Sequence, residues 1–330
     1  MVVQSVLSMA PLRISFVGGG TDISTFYRKT PGCVISAAIN KYVYVHIKRH
    51  DPLFQERYRI SYSETEHTQN RNDINNLIVR SCLELLDMDE PLQISTSADL
   101  PSNSGLGSSS SFAVALLNGL HKIRGEEVSL VQIAEEASRV EIEILKSPIG
   151  KQDQYAAAFG GLNFFEFHGN ETVSIDPIYL PDIKPGNFFD NTLMIWTGLS
   201  RQANSILADQ ASRSEVNYEK LFELTKLTRT FRDTLINSPL NWPKLGEIIY
   251  KGWELKQSFS AKIMTNDVKE IINALNNLDC SGYKLLGAGG GGFVFAVFDT
   301  LSEKHFNELQ QWRIFKPSLD QIGARIVSVN

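Results

Sequence analysis

Pro101-Ser-Asn-Ser-Gly-Leu-Gly-Ser-Ser-Ser-Ser-Phe112 joins a strand-like run, residues 92–98, to an apolar helical run, residues 112–123. Gly105 and Gly107 let the backbone turn its N–H groups inward, and the helix that follows adds the positive end of its dipole. Together they make an anion site, and phosphate is its natural guest. A bare Gly/Ser linker is the competing reading, but a linker does not pass straight into Phe-Ala-Val-Ala-Leu-Leu, the buried face of a helix.

Composition bounds what surrounds this loop. The 330 residues are 42% hydrophobic and 10% aromatic, enough to fill one large core or two ordinary ones, with no low-complexity tract. A formal charge of −5, with both signs spread throughout, excludes the basic field of a general nucleic-acid binder. Cys33, Cys82 and Cys280 are far apart and form no CxxC pair, which favours reduced core thiols over a zinc site or a disulfide framework. The first residues carry no basic leader and no run is long enough for a membrane span, so the expected address is cytoplasmic. Asn170-Glu-Thr172 is then a chance sequon.

Upstream of the loop, residues 12–17 read as a strand entering Gly18-Gly-Gly-Thr-Asp22. Three glycines allow close approach to a ligand, and Thr21 and Asp22 add a donor and acceptors. A dinucleotide fingerprint fails there, because position 23 is Ile and no acid follows at the required distance. Residues 33–39 and 42–48 read as paired strands with Asn40-Lys41 as the turn, residues 58–62 as another strand, and residues 76–86 as a helix. Downstream, Ser129 caps a helix with an apolar stripe of Leu130, Ile133, Ala134, Ala137, Val140 and Ile144, while Glu135, Glu136, Glu141 and Glu143 take its polar side. Pro148 and Gly150 break that helix, and Lys151-Gln-Asp153 starts a short apolar turn whose acid suits a helix N-terminus. Residues 162–167, 171–175 and 192–196 read as strands of one sheet. Helical patterns follow over residues 205–236, 242–259 and 268–278. Gly287, Gly289 and Gly292 satisfy GxGxxG, yet Phe-Val-Phe-Ala-Val-Phe298 is β in character where that motif needs a helix, so no dinucleotide site is expected. A helix over residues 305–313 and a strand over residues 324–329 end the chain.

Pro-x-x-x-Gly-Leu-Gly-Ser-Ser resembles the central motif of the GHMP small-molecule kinases, the family of galactokinase, homoserine kinase and mevalonate kinase. Ala10-Pro-Leu-Arg-Ile-Ser-Phe-Val-Gly-Gly-Gly-Thr-Asp22 is similar to its first motif and residues 283–298 to its third, in the right order over nearly the whole chain. The resemblance implies an α+β, two-lobed fold of mixed and antiparallel sheets with helices and an active site in the cleft between lobes. Residues 1–185 would form a nucleotide-binding lobe, and residues 186–330 a C-terminal lobe carrying the glycine motif at 287–292. Gly-Gly-Gly stands where galactokinase has Gly-Glu-His, which points away from galactose and towards the branch acting on heptose 7-phosphate, with fucokinase-like enzymes nearby.

Phosphoryl transfer needs a phosphate cradle, a divalent cation and an aligned acceptor hydroxyl. By resemblance, Pro101, Ser104, Gly105, Leu106, Gly107, Ser108, Ser109 and Ser110 bind ATP, while Ser109 and Glu141 bind Mg²⁺, with Ser108 as the alternative hydroxyl. Glu141 stands twelve residues before Asp153, similar to the family's spacing of metal-binding Glu and catalytic Asp; Glu143 is the fallback if the helix register differs. Asp153 would take the acceptor's proton, and Arg13 would steady developing charge. Gly19, Gly20, Thr21, Asp22, Gly289 and Gly290 would face the substrate. The expected partners are ATP and a small-molecule sugar phosphate taken at its anomeric hydroxyl, with no nucleic acid and no membrane; a homodimer is left open. For the phosphate that such a sugar carries, Arg28, Lys29, Lys146 and Lys151 are all candidates. The P-loop fails because Gly150-Lys151 is followed by Gln, and the protein-kinase set is missing. A sugar-responsive binding protein that has lost turnover is the competing class. Joint presence of Arg13, Ser109, Glu141 and Asp153 argues against it, since a sensor needs neither a metal ligand nor a proton acceptor.

Overall fold

The computed structural model describes residues 3–200, 217–237, 239–259 and 263–330. One sheet takes β1 (Ser5–Val17), β2 (Gly32–Arg49), β3 (Tyr58–Ser61), β4 (Thr65–Thr68), β5 (Leu92–Ala98), β6 (Leu162–Phe167) and β7 (Val173–Pro177). A second takes β8 (Thr192–Trp196), β9 (Cys280–Leu285), β10 (Phe293–Phe298) and β11 (Ile314–Phe315), in the order β11-β8-β10-β9. The last strand, β12 (Arg325–Val329), returns to the first sheet and pairs antiparallel with β1. Among the described residues every strand pair is antiparallel except β3 with β5. The α+β class with mixed sheets is therefore as expected from the sequence.

The helices are α1 (Ser24–Tyr27), α2 (Leu77–Leu85), α3 (Ser108–Ile123), α4 (Leu130–Ser138), α5 (Gln152–Phe159), α6 (Tyr218–Ile236), α7 (Trp242–Gln257), α8 (Asn266–Asn276) and α9 (Glu303–Glu308). α3 lies on β1 and β2 with Ala113, Val114, Leu116, Leu117 and Leu120 fully buried, the face that the run after the serine loop predicts. Residues 205–216 of the predicted helical stretch lie outside the described residues. No helix among the described residues is long and apolar enough to cross a membrane.

Four expectations need correction. β2 runs straight through Asn40-Lys41, expected as a turn. Pro11 has no N–H to give the ladder there, and the register slips from Pro11 opposite Tyr42 to Leu12 opposite Ile39, so Asn40 and Lys41 form a bulge. The bulge divides one edge of β2, which takes β6 through Gly32 to Ala37 and β5 through Val43 to Arg49. Secondly, residues 192–196 are not in the sheet of β6 and β7. Leu193 and Ile195 face a small core under α8, Met194 faces the main core, and a strand covered on both faces needs its own sheet between two layers. Thirdly, the helix of residues 305–313 stops at Glu308, because β11 pairs with the edge of β8. Finally, Ile144 leaves the apolar stripe and is 39% exposed, because residues 139–144 form a π-helical turn that shifts the register after Ser138.

Candidate active site

The serine loop reaches α3 through three left-handed residues, Asn103 (φ 57°), Gly105 (φ 83°) and Gly107 (φ 75°). Gly107 is the N-cap and no side chain caps the helix, so the backbone N–H groups of Ser108, Ser109 and Ser110 have no intrahelical partner. Such a concave run of amides at a helix N-terminus fits phosphate oxygens. Backbone contact with the distant glycine motif fixes the loop. A Cβ on Gly105 would sit 2.6 Å from the Leu286 carbonyl oxygen, one on Gly287 would sit 2.5 Å from the Gly105 Cα, and Phe293 N–H donates to the Ser104 carbonyl at 3.2 Å. Neither position tolerates a side chain.

Arg13, on β1, ties this loop to the acid on α5. Its Nε donates to Asp153 Oδ1 at 2.7 Å and its Nη2 lies 2.6 Å from the same oxygen, while Nη1 donates to the Gly105 carbonyl at 2.7 Å. The Asp153 carboxyl carbon is 3.3 Å from where a Gly107 Cβ would be. The proton-acceptor candidate thus sits against the mouth of the phosphate loop.

Glu141 owes its inward position to the π turn. It is 3% exposed, and its Oε2 accepts from Ser110 Oγ and Gln154 Nε2, both at 2.6 Å. Burial raises its pKa, the Ser110, Gln154 and Ser109 side chains oppose that, and the Asp153 charge adds to it. Glu143 is exposed and pairs with Arg139 at 3.9 Å, so the fallback register is not the one adopted. One carboxylate with neighbouring serine hydroxyls is a hard, sparse oxygen set, of the kind Mg²⁺ uses when phosphate oxygens and waters complete its shell. Buried Ser104 Oγ and Gln154 Oε1 also lack hydrogen-bond partners among the described residues, leaving polar capacity beside the loop. The described residues hold no group of three or more His, Cys, Asp or Glu that would make an all-protein cage.

Asp22 is 1% exposed; Oδ1 accepts from Gly20 N–H (2.8 Å) and Gln152 Nε2 (3.1 Å), and Oδ2 from Gln152 N–H (3.2 Å). Burial raises its pKa, and the Asp153 charge contributes. Gly19 lies beside Gln152 and Ser15. Thr21 is placed differently from the expectation. Its hydroxyl is spent on the Gly18 and Cys33 carbonyls (both 2.9 Å) and the Cys33 N–H (3.0 Å), so it fixes the glycine turn. Gly290 is buried and donates to the Ile263 carbonyl, and Gly289 packs on Ile263, which turns both towards the small core.

Sequence reading misses Gln152 and Gln154, which hold the two buried acids, and two lysines. Lys256 on α7 donates to the Gly287 carbonyl at 2.5 Å, and Lys284 on β9 is 6% exposed and donates to the Ser15 and Phe16 carbonyls at 2.7 and 2.9 Å. Burial pushes Lys256 down to about 8, with the Arg13 charge adding to the shift and Asp22 and Asp153 opposing it. A lysine inside Tyr-Lys-Leu-Leu was a usable signal; Lys256 offered none. Cavities of about 360 and 580 Å³ lie elsewhere, one lined by Asn187 and Trp242, the other by Leu162 and Tyr179.

Residues 76–161 match the GHMP kinases N terminal domain and residues 235–310 the GHMP kinases C terminal family. A D-glycero-alpha-D-manno-heptose 7-phosphate kinase of Campylobacter jejuni is 30% identical over 308 residues, 90% of each chain. The chain belongs to the GHMP kinase family. As a GHMP kinase it is an ATP-dependent phosphotransferase. A bifunctional fucokinase/GDP-fucose pyrophosphorylase of Arabidopsis thaliana is 25% identical over 86% of this chain and 29% of its own. Among solved GHMP kinase folds, a D-glycero-D-manno-heptose 1-phosphate kinase from Bacteroides thetaiotaomicron superposes with a TM-score of 0.73 at 21% identity, covering 98% of this chain and 99% of that one. Galactokinase from Lactococcus lactis does so with 0.74 at 15% identity, covering 97% and 95%. At those identities the likeness is one of fold.

Proposed function

We propose that this GHMP kinase transfers the γ-phosphate of ATP to the anomeric hydroxyl of a heptose 7-phosphate, D-glycero-D-manno-heptose 7-phosphate, giving the 1,7-bisphosphate. The observation that carries the reading is the Arg13 guanidinium, which binds Asp153 and the Gly105 carbonyl together and so makes phosphate loop and proton acceptor one unit. The heptose is favoured by the Campylobacter relative and by the Gly-Gly-Gly that precedes Thr21 and Asp22.

In this reading the amides of residues 105–110 hold the phosphates, Glu141 and the hydroxyls of Ser109 and Ser110 hold Mg²⁺, and Asp22 fixes a sugar hydroxyl. Bound Mg²⁺ supplies charge neutralisation of the nucleotide phosphates. Asp153 accepts the proton of the attacking hydroxyl, and Arg13 and Lys256 supply positive charge beside it. Residues 1–185 and 186–330 act as the two lobes, meeting where Gly105 packs on Gly287, with β12 crossing back into the first sheet. The product would feed a nucleotide-activated heptose for surface polysaccharide, in the cytoplasm where ATP and sugar phosphates are found.

The second reading, a fucokinase-like or other hexose-1-kinase, is supported by the Arabidopsis relative. ADP release measured with ATP, Mg²⁺ and either the heptose 7-phosphate, L-fucose or D-mannose separates them. A kcat/KM for the heptose phosphate at least tenfold above the others supports the proposal; a preference for a free sugar moves the assignment to the second reading.

A further inference from the structure

Of the four basic residues that flank the site in sequence, two are brought to one point. Arg28 Nε donates to Glu171 Oε1 at 2.7 Å, and Lys151 Nζ donates to Glu171 Oε2 at 2.8 Å and to the Glu171 carbonyl at 3.0 Å. Tyr27 donates its hydroxyl to the same Oε2 at 2.7 Å. One carboxylate therefore takes a guanidinium, an ammonium and a phenol, with Glu143 a further acid acting on Arg28. These donors suit a phosphate monoester, whose dianion has one more charge and one more oxygen to offer than Glu171.

The cluster is also correctly placed. Lys151 adjoins Gln152, whose amide groups hold Asp22, and Lys151 N–H itself approaches the Asp22 carbonyl at 3.4 Å. Tyr27 and Arg28 follow Asp22 by five and six residues through α1, and Lys151 precedes Asp153 by two, so both segments that carry the basic group also carry the residues at the sugar and reacting positions. Glu171 stands on the turn between β6 and β7 at φ +70°, a left-handed conformation that costs a non-glycine residue about 1 kcal/mol and is kept where something depends on it. Its three donors outweigh burial and hold its carboxyl down at about 2, as for an anion in a site built for anions. Lys151 is only 15% exposed, whereas Arg28, at 62%, is free to swing onto a ligand.

We propose that Tyr27, Arg28 and Lys151 form the binding site for the phosphate group carried by the acceptor, and that Glu171 occupies it until the acceptor arrives. This rests on the reading of the acceptor as a sugar phosphate. The rival account is a structural ion pair pinning α1 to the β6–β7 turn, and Glu171→Gln distinguishes the two. Removing a competing anion strengthens phosphate binding; removing a structural pin weakens whatever it held.

The test is the ratio of kcat/KM for D-glycero-D-manno-heptose 7-phosphate to that for the same heptose without phosphate, in the wild type and three variants. The ratio should fall about 10-fold or more in Lys151→Met and in Arg28→Gln, and rise several-fold in Glu171→Gln. Ratios within twofold of wild type in all three, or a fall in Glu171→Gln matching that in Lys151→Met, overturns the site. A wild-type ratio below one is a different failure: the acceptor reading falls, and the proposal with it. The exposed Arg28→Gln keeps the comparison valid if Lys151→Met fails to fold.

Discussion

Asp153→Asn replaces the proposed proton acceptor with an amide of the same shape, which Arg13 can still contact through its oxygen. Turnover should drop by about 10³-fold or more with the melting temperature within about 2 °C of wild type; near-normal ADP release from a folded Asp153→Asn protein would remove Asp153 from the chemistry. Lys256 makes a prediction in pH. Its pKa in the folded chain, about 8, is below the ordinary 10.5, so the free enzyme loses this ammonium as pH rises through about 8. The kcat/KM profile should therefore show an alkaline limb near pH 8, displaced upwards in kcat because bound phosphate favours the charged form, and Lys256→Met should abolish it. The depressed Lys256 pKa also favours folding above about 10.5, an advantage lost as pH falls through about 8.

The π turn and the paired glycine loops carry the site at the scale of elements. Glu141 has a folded pKa raised by burial, so its contribution to stability is largest at low pH and is lost as pH rises through the raised value. Glu141→Gln removes that buried charge, keeps the Ser110 hydroxyl donor satisfied, and gives the unpartnered Gln154 Oε1 an amide donor. The melting temperature of the free protein at pH 7 should stay level or rise by about 2 °C, while the Mg²⁺ needed for half-maximal activity rises about 10-fold or more. A variant that melts lower and keeps its Mg²⁺ response would contradict both halves. For the loops, Gly105→Ala forces a Cβ towards the Leu286 carbonyl at φ +83°, and should cost about 1–3 kcal/mol along with a raised KM for ATP, read by thermal melts and steady-state kinetics. Several elements were legible because local pattern alone decides them: Ser129 caps its helix through Gln132 N–H, and the strands at Leu92–Ala98 and Leu162–Phe167 run between clear breaks. The π turn was not, since 3.6-residue periodicity assumes the register that the turn breaks. Nor was the bulge at Asn40-Lys41, where local turn chemistry is overruled by the Pro11 gap in the neighbouring strand.

In the whole molecule, β1 is the shared part: it pairs with β2 and β12, lies under α3, and presents Arg13 to Asp153 and the serine loop. Contacts between residues more than a hundred positions apart, such as Arg13 with Asp153 and Gly105 with Gly287, bring the motifs together. Arg13, Asp22, Glu141 and Asp153 could be picked out because their motifs are short and ordered. Lys256 and Glu171 could not be, and Arg28 and Lys151 stood only among four basic candidates, because packing alone chooses among so many surface charges. This assembly is proposed to move phosphate from ATP onto an anomeric oxygen. The direct measurement is ³¹P NMR of the product formed from D-glycero-D-manno-heptose 7-phosphate, ATP and Mg²⁺. A new phosphorus resonance coupled to the anomeric proton, absent with Asp153→Asn, is the predicted result; phosphorus coupled to any other sugar proton, or ADP formed with no new ester, would contradict it.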